Sequence, residues 1–192
     1  MPGNVKVLAS KVRFAGRVFG VRTDTVIEPG GIRVTRDIVT HPGSVVVLPM
    51  FPNGDILLIR QYRHAARESL WELVAGRIEA GENPQVAARR ELLEETGYTA
   101  RRFRRMFSAY PTPGFVSEQM IMFVAEDLRA GDSRPESDER IASRRFSARE
   151  LQRMMRRGTL RDSKSIAGIL YYLRFHARRQ RRRVIRADFA PD

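Results

Sequence analysis

The chain has 192 residues, 35 of them Lys or Arg against 22 Asp or Glu, which gives a formal net charge of +13, and it has no cysteine. That length suits one domain with a sizeable core and a small N-terminal extension, and the missing cysteines exclude disulfides and thiolate metal sites. The opening MPGNVKVLASKVRF lacks an apolar core of signal-peptide length, and no run approaches the roughly 18 apolar residues that span a bilayer, so the expected location is the cytoplasm, with no membrane partner.

Residues 5–40 alternate short apolar and polar stretches around a turn at Pro29-Gly30-Gly31, which predicts a small antiparallel β unit. A composition shift follows at His41-Pro42-Gly43, so the expected organisation is an N-terminal β unit over 1–42, a catalytic domain over 43–178 and a basic tail over 179–192. Residues 44–50 hold the apolar run VVVLPM, Pro52-Asn53-Gly54-Asp55 makes a turn, and 55–63 return as DILLIRQYR; these read as central strands. Further strands are expected over 99–108 and 118–126, separated by the loop AYPTPGFVS. Ser147 and Glu150 have the spacing of a capping box that opens a short helix. A last helix over 163–178 carries apolar Ile166, Ile169, Leu170 and Leu173. Helices around a mixed sheet imply a layered α/β (α+β) fold.

Between the two strand pairs stands the segment GRIEAGENPQVAARRELLEETGY, residues 76–98. Asn83 followed by Pro84 is a good helix start and Gly97 a good stop. At about 100° per residue, Glu91, Glu94 and Glu95 fall within roughly a third of the circumference beside the small Ala87 and Ala88, while Val86, Leu92 and Leu93 are left to face a core. Clustered carboxylates repel one another unless a cation neutralises them, and an oxygen-only donor set points to a hard divalent ion, Mg2+ or Mn2+, rather than zinc. Arg90, four residues before Glu94, is placed to orient a carboxylate.

A charged helix face is ordinarily only a solvated face, but here nine positions match one pattern: Gly76, Glu82, Arg90, Glu91, Leu92, Glu94, Glu95, Gly97 and Tyr98. That arrangement resembles the Nudix box, the signature of magnesium-dependent cleavage of diphosphate bonds; Tyr98 stands where the family more often has an aliphatic residue. The approach RQYRHAARESLWELVAG over 60–76 is similar to that of ADP-ribose pyrophosphatases. Pro113, at 113 − 98 = 15 residues past the box, lies in a loop similar to the proline-containing loop of that group, and an acidic stretch at 136–139 fits as well. The likeness spans about residues 36–175.

The resemblance implies a Nudix α/β/α sandwich with a mixed sheet, preceded by the antiparallel β unit, and hydrolysis of ADP-ribose to AMP and ribose 5-phosphate. It implies that Glu91, Glu95 and the carbonyl of Ala75 hold magnesium, with Glu94 and Glu82 completing the site, and that Glu118 is the general base or water-positioning group. Arg63 and Arg36 are the expected grips on the substrate's phosphates, Phe19 the residue that stacks on adenine, and Pro113 part of the substrate loop. Members of the group commonly pair through the N-terminal strands, so a homodimer is expected, with Arg36 and Phe19 acting across its interface. Trp71 is expected to pack beneath the box, and His41, His64 and His176 share no spacing that makes a metal site or triad.

Two rival readings stand beside this one. GDP-mannose, another nucleotide sugar or a dinucleotide could occupy the same diphosphate-gripping frame. A basic nucleic-acid-binding module could use the fold only as a scaffold, which the tail HARRQRRRVIR suggests. Against that reading, every acidic box position is filled, and the tail lacks the aromatic interleaving of single-strand binders, so nucleic acid is not the expected partner.

Overall fold

The computed structural model describes residues 4–131 and 142–176. The acidic stretch at 136–139, the end of the last expected helix and the arginine-rich tail lie outside the described residues. Strands β1 (Lys6–Ala15), β2 (Gly20–Ile27) and β3 (Arg33–Thr40) form an antiparallel sheet in that order. The β2–β3 turn falls at the expected Pro29-Gly30-Gly31, where φ is +87° at Gly30 and +80° at Gly31, a region that favours glycine.

β4 (Ser44–Pro49) is buried along its whole length because it lies inside a four-stranded sheet and is covered on both faces. Its sheet has the order β7-β4-β9-β8, with β7 (Val74–Arg77) antiparallel and β9 (Met120–Ala130) parallel to β4, and β8 (Tyr98–Ala109) antiparallel to β9. β5 (Ile56–Arg63) starts at the bridge Met50–Ile56, which joins it across the turn to the residue just past β4. It then becomes the middle of a separate sheet between β10 (Ala142–Phe146) and β6 (Glu68–Glu72). Its four leading residues are buried and the rest alternate, so the hairpin splits between two layers.

Alternation along β4 sets up those layers. Val46 and Leu48 join Leu58, Leu73, Met122, Phe146 and Ile169 in one apolar cluster, while Val45 and Val47 join Ile59, Val74, Phe123, Ala87, Ala88 and Leu92 in another. The second cluster is closed by α1 (Pro84–Thr96). The first is closed by the β5 sheet, α2 (Ala148–Arg156) and α3 (Ser163–Tyr171), after which Tyr172–His176 form one π turn. This is the expected mixed α/β layering.

Local readings differ from the structure in identifiable ways. Strands β6, β7 and β10 have no apolar alternation to announce them; β10 leaves four of its five residues exposed. Ser147 caps α2 by accepting from the Glu150 amide at 3.2 Å, but the Glu150 carboxylate pairs with Arg144 instead of returning to the cap. On α3 the buried stripe runs through Ser165, Ile169 and Tyr172, which leaves Leu170 a full step of the helix away and exposed. Among the described residues, no helix is long and apolar enough to cross a membrane.

Candidate active site

The box helix begins and ends where its residues dictate. Asn83 is extended and its side chain accepts from the Gln85 amide at 2.8 Å; Pro84 opens the helix; Gly97, at φ +71°, returns its amide to the Leu93 carbonyl at 2.8 Å. The helix turns its small residues and its carboxylates inward. Ala87, Ala88, Leu92 and Glu95 are buried, whereas Val86, expected to face the core, is 55% exposed. The reason is distance: two alanines let the helix axis approach β4 and β7 closely, and that approach brings Glu91 and Glu95 onto the backbone of Ala75 and Gly76.

Gly76 leaves room for that approach. A Cβ there would overlap the Glu91 carboxylate. One residue earlier, the Ala75 amide donates to Glu95 Oε2 at 3.3 Å, so the last strand before the box is tied to α1 by the side chain expected to hold a cation.

Arg90 organises the other carboxylates. Its Nε and Nη2 donate to Glu82 Oε1 and Oε2, both at 3.0 Å, its Nη1 donates to Glu91 Oε1 at 2.7 Å and Glu94 Oε2 at 3.1 Å, and Nη2 also reaches the Arg77 carbonyl at 3.0 Å. The Glu82 bonds hold Arg90 more firmly protonated than usual, and in return Arg90 draws the Glu82 carboxyl below its ordinary range, helped by the Glu79 amide. Among the described residues no three Asp, Glu, His or Cys side chains form a ready-made cation cage. The guanidinium supplies the counter-charge among Glu82, Glu91 and Glu94. The donors themselves are all oxygen, which is the set a hard divalent cation takes.

The loop over 110–119 is fastened to the same place. The Val39 amide donates to Phe115 O at 2.8 Å, the Ser117 amide to Val39 O at 2.9 Å, and the Ser44 amide to Gln119 O at 3.0 Å. Ser44 Oγ donates to Glu118 Oε1 at 2.6 Å, and Ser44 pairs in register with Arg77, the residue after Gly76. Glu118 is therefore brought to the start of the box. Pro113 is exposed on the outer part of this loop.

Arg63 donates through Nε and Nη2 to the fully buried Glu72, both bonds 2.8 Å, and it lies within Coulombic reach of Glu95. Arg36 is paired with Glu28 on the N-terminal sheet. Phe19 packs against Phe14 with ring centroids 5.7 Å apart and lines an open cleft of about 600 Å³ with Arg17, Thr40, His41, Arg77 and Glu79. Trp71 packs edge-on against Phe146 at 4.9 Å in the apolar layer away from α1, not beneath the box. Sequence reasoning passed over Ser44, Glu72, Asp162, Lys164 and Ser165. The one signal available was Glu72 standing alone among apolar neighbours in LWELVA, as a buried, partnered charge does.

A family model described as the NUDIX domain matches residues 40–167. An ADP-ribose pyrophosphatase of Bacillus subtilis is 38% identical over 134 residues, 70% of this chain and 72% of that protein. One of Mycobacterium tuberculosis is 37% identical over 169 residues, 86% and 81% of the two chains. A GDP-mannose pyrophosphatase of Yersinia enterocolitica is 33% identical over 143 residues, 70% and 74%. A crystal structure of an ADP compounds hydrolase superposes with a TM-score of 0.79 at 20% identity, covering 89% of this chain and 93% of its own, which establishes the shared fold. With the domain match spanning well over half its length, this chain belongs to the Nudix family.

Proposed function

We propose that this Nudix pyrophosphohydrolase cleaves the diphosphate of ADP-ribose, adding water to give AMP and ribose 5-phosphate, with Mg2+ as cofactor and Mn2+ as a working substitute. The observation that carries the reading is the convergence of Glu91 and Glu95 on the Ala75–Gly76 backbone, with Glu118 anchored beside them through Ser44. The two ADP-ribose pyrophosphatase relatives support the choice of substrate.

Glu91, Glu95 and the Ala75 carbonyl would hold the divalent cation, with Glu94 and Glu82 completing the site. When bound, such an ion supplies charge neutralisation and polarisation to the diphosphate. Arg90 holds Glu82, Glu91 and Glu94 at fixed angles, so the carboxylates do not have to be gathered when a substrate arrives. Glu118, with Oε1 occupied by Ser44, takes the proton of the attacking water on its other oxygen while the bridging phosphorus–oxygen bond breaks. Arg63 faces the phosphates from the β5 side. Pro113 shapes the loop that carries Glu118.

Phe19 stacks on the adenine and Arg36 reaches the phosphates, both from a partner subunit. A homodimer through the N-terminal sheet suits β1, which exposes all ten of its residues, Val7, Val12 and Phe14 among them. A chain without cysteine, acting on a small nucleotide sugar, suits the cytoplasm. The GDP-mannose pyrophosphatase relative favours one alternative substrate on the same frame.

The test is AMP release from ADP-ribose with and without Mg2+, beside GDP-mannose, ADP-glucose and diadenosine polyphosphates. Fast Mg2+-dependent turnover of ADP-ribose above the others is the expected result. Selective turnover of another compound would keep the chemistry and overturn the substrate.

A further inference from the structure

The strand that delivers Ala75 and Gly76 to the box is held from both sides. On one side α1 holds it through Glu95 and the Ala75 amide. On the other, the first turn of α3 holds the two residues that lead into it, Glu72 at the end of β6 and Leu73 between the strands. Lys164 Nζ pairs with the Glu72 carboxylate, and the Leu73 amide donates to Ser165 Oγ at 2.7 Å. Asp162 locks that turn together: it caps α3 by accepting from the Ser165 amide at 2.9 Å, takes the Ser165 hydroxyl, and pairs with Lys164 at 2.8 Å.

Glu72 has no exposed surface, yet it carries two cations, Arg63 and Lys164, and with Asp162 the four charges sum to zero. A fully buried carboxylate held by partly exposed cations is a poor way to add stability, because desolvating Glu72 offsets much of the attraction and solvent weakens the rest. What it does provide is direction. The register of the hairpin puts Arg63 opposite Glu68, four residues before Glu72. The Arg63 side chain therefore lies back along β6, aimed by the fork of two bonds into Glu72. Glu72 thus holds Arg63 and stands three residues before the Ala75 carbonyl.

We propose that Lys164, acting with Asp162 and Ser165 at the start of α3, is a positioning residue for the reaction: by clamping Glu72 and Leu73 it sets the orientation of Arg63 and of the Ala75 carbonyl toward the cation and the diphosphate. This rests on the reading of Ala75 and Arg63 given above. Lys164 itself touches neither cation nor substrate.

The full-length protein and its Lys164→Met, Lys164→Arg, Glu72→Gln, Ser165→Ala and Glu72→Gln/Lys164→Met variants are compared in two assays: Mn2+ titration by calorimetry with no nucleotide present, and kcat and KM for ADP-ribose at saturating Mg2+. Outer partners of metal-holding groups typically matter by about 10- to 100-fold, so Lys164→Met is expected to weaken Mn2+ binding and kcat/KM by at least about tenfold. Lys164→Arg restores both to within about threefold, and the double variant is no worse than Glu72→Gln alone, since the lysine acts through that carboxylate. Ser165→Ala keeps every charge and loosens Leu73, so it too weakens Mn2+ binding; it carries the test if Lys164→Met does not fold.

Variants that bind Mn2+ within about twofold of the wild type overturn the proposal, as do Glu72 and Lys164 losses that multiply in the double variant. Because the titration needs no nucleotide, a wild type that binds Mn2+ but prefers another substrate defeats the ADP-ribose reading and leaves this one standing. A wild type that binds no Mn2+ defeats both.

Discussion

Arg90→Met removes the guanidinium from among Glu82, Glu91 and Glu94 and leaves an uncharged, unbranched side chain in place of the stem. The Arg90 side chain is 27% exposed, and the three carboxylates it serves are 12%, 13% and 34% exposed, so solvent can rescue them only in part. Breaking a fully buried pair costs about 3–5 kcal/mol and exposed pairs contribute about 0–1 kcal/mol, which places this half-buried cluster at about 3 kcal/mol. For a chain of this size that is a fall in Tm of about 6–12 °C in the absence of divalent ions.

The deficit should shrink when Mg2+ is added, because a bound cation supplies part of the missing counter-charge; scanning calorimetry with chelator and with saturating Mg2+ measures both. Acid provides a second check. Arg90 holds the Glu82 carboxyl below its ordinary 4.5, so this interaction contributes fully above that value and is lost as the pH falls through the depressed folded value. The gap in Tm between wild type and variant should therefore narrow below about pH 4.5. A variant within about 1 °C of the wild type without metal, or a deficit that ignores both Mg2+ and acid, would refute the account of Arg90 as the internal counter-ion of the box.

Gly76→Ala drives a methyl group into the Glu91 carboxylate, so Glu91 must swing away from Arg90; activity should fall on the order of 10² with a circular dichroism spectrum like that of the wild type, and full activity would show the close approach to be dispensable. Glu95→Gln is expected to lose roughly 10² in rate, mostly through weaker metal binding; an active variant with unchanged Mg2+ dependence would remove it from the ligand set. For Glu118→Gln, kcat should drop by roughly 10² or more with KM little changed, and an equal kcat would end its role as base. Light scattering should give twice the 22.0 kDa of one chain, and a monomer mass would leave Arg36 and Phe19 without a route to a partner's site.

The helix carrying the box was legible because its caps and its acidic spacing are local: Asn83, Pro84 and Gly97 fix the ends whatever surrounds them. Its orientation was less so. Hydrophobicity assigns Val86 to the core, but the helix that fits closest to β4 is the one that turns Ala87 and Ala88 inward, and backbone proximity outweighed one valine. The central strands announced themselves through VVVLPM and DILLI, whereas β6 and β10 are short, charged and held by neighbours distant in sequence. The same distance hid Ser44 and Lys164. Ser44 meets Glu118 across 74 positions and Lys164 meets Glu72 across 92, separations at which no local pattern reports a contact.

These exceptions share a cause. A helix that served only packing would put its apolar residues inward and its acids out, yet α1 buries Glu95 and packs Glu91 against Gly76. A strand that served only packing would continue LWELVA without an acid, yet Glu72 is fully buried and balanced by two cations drawn from separate elements. Both departures carry a desolvation penalty, and both fall on the segment from Glu72 to Gly76. The penalties make sense together if that strand must present its backbone carbonyls and a guanidinium in fixed directions to a highly charged substrate. The two clusters are built differently. Glu72 and Asp162 are held by Arg63 and Lys164 from separate elements, whereas Arg90 gathers Glu82, Glu91 and Glu94 from its own helix and the loop before it. The gathered carboxylates therefore lie at the box, beside the Ala75–Gly76 backbone, and supply the oxygen donors that a hard divalent cation takes.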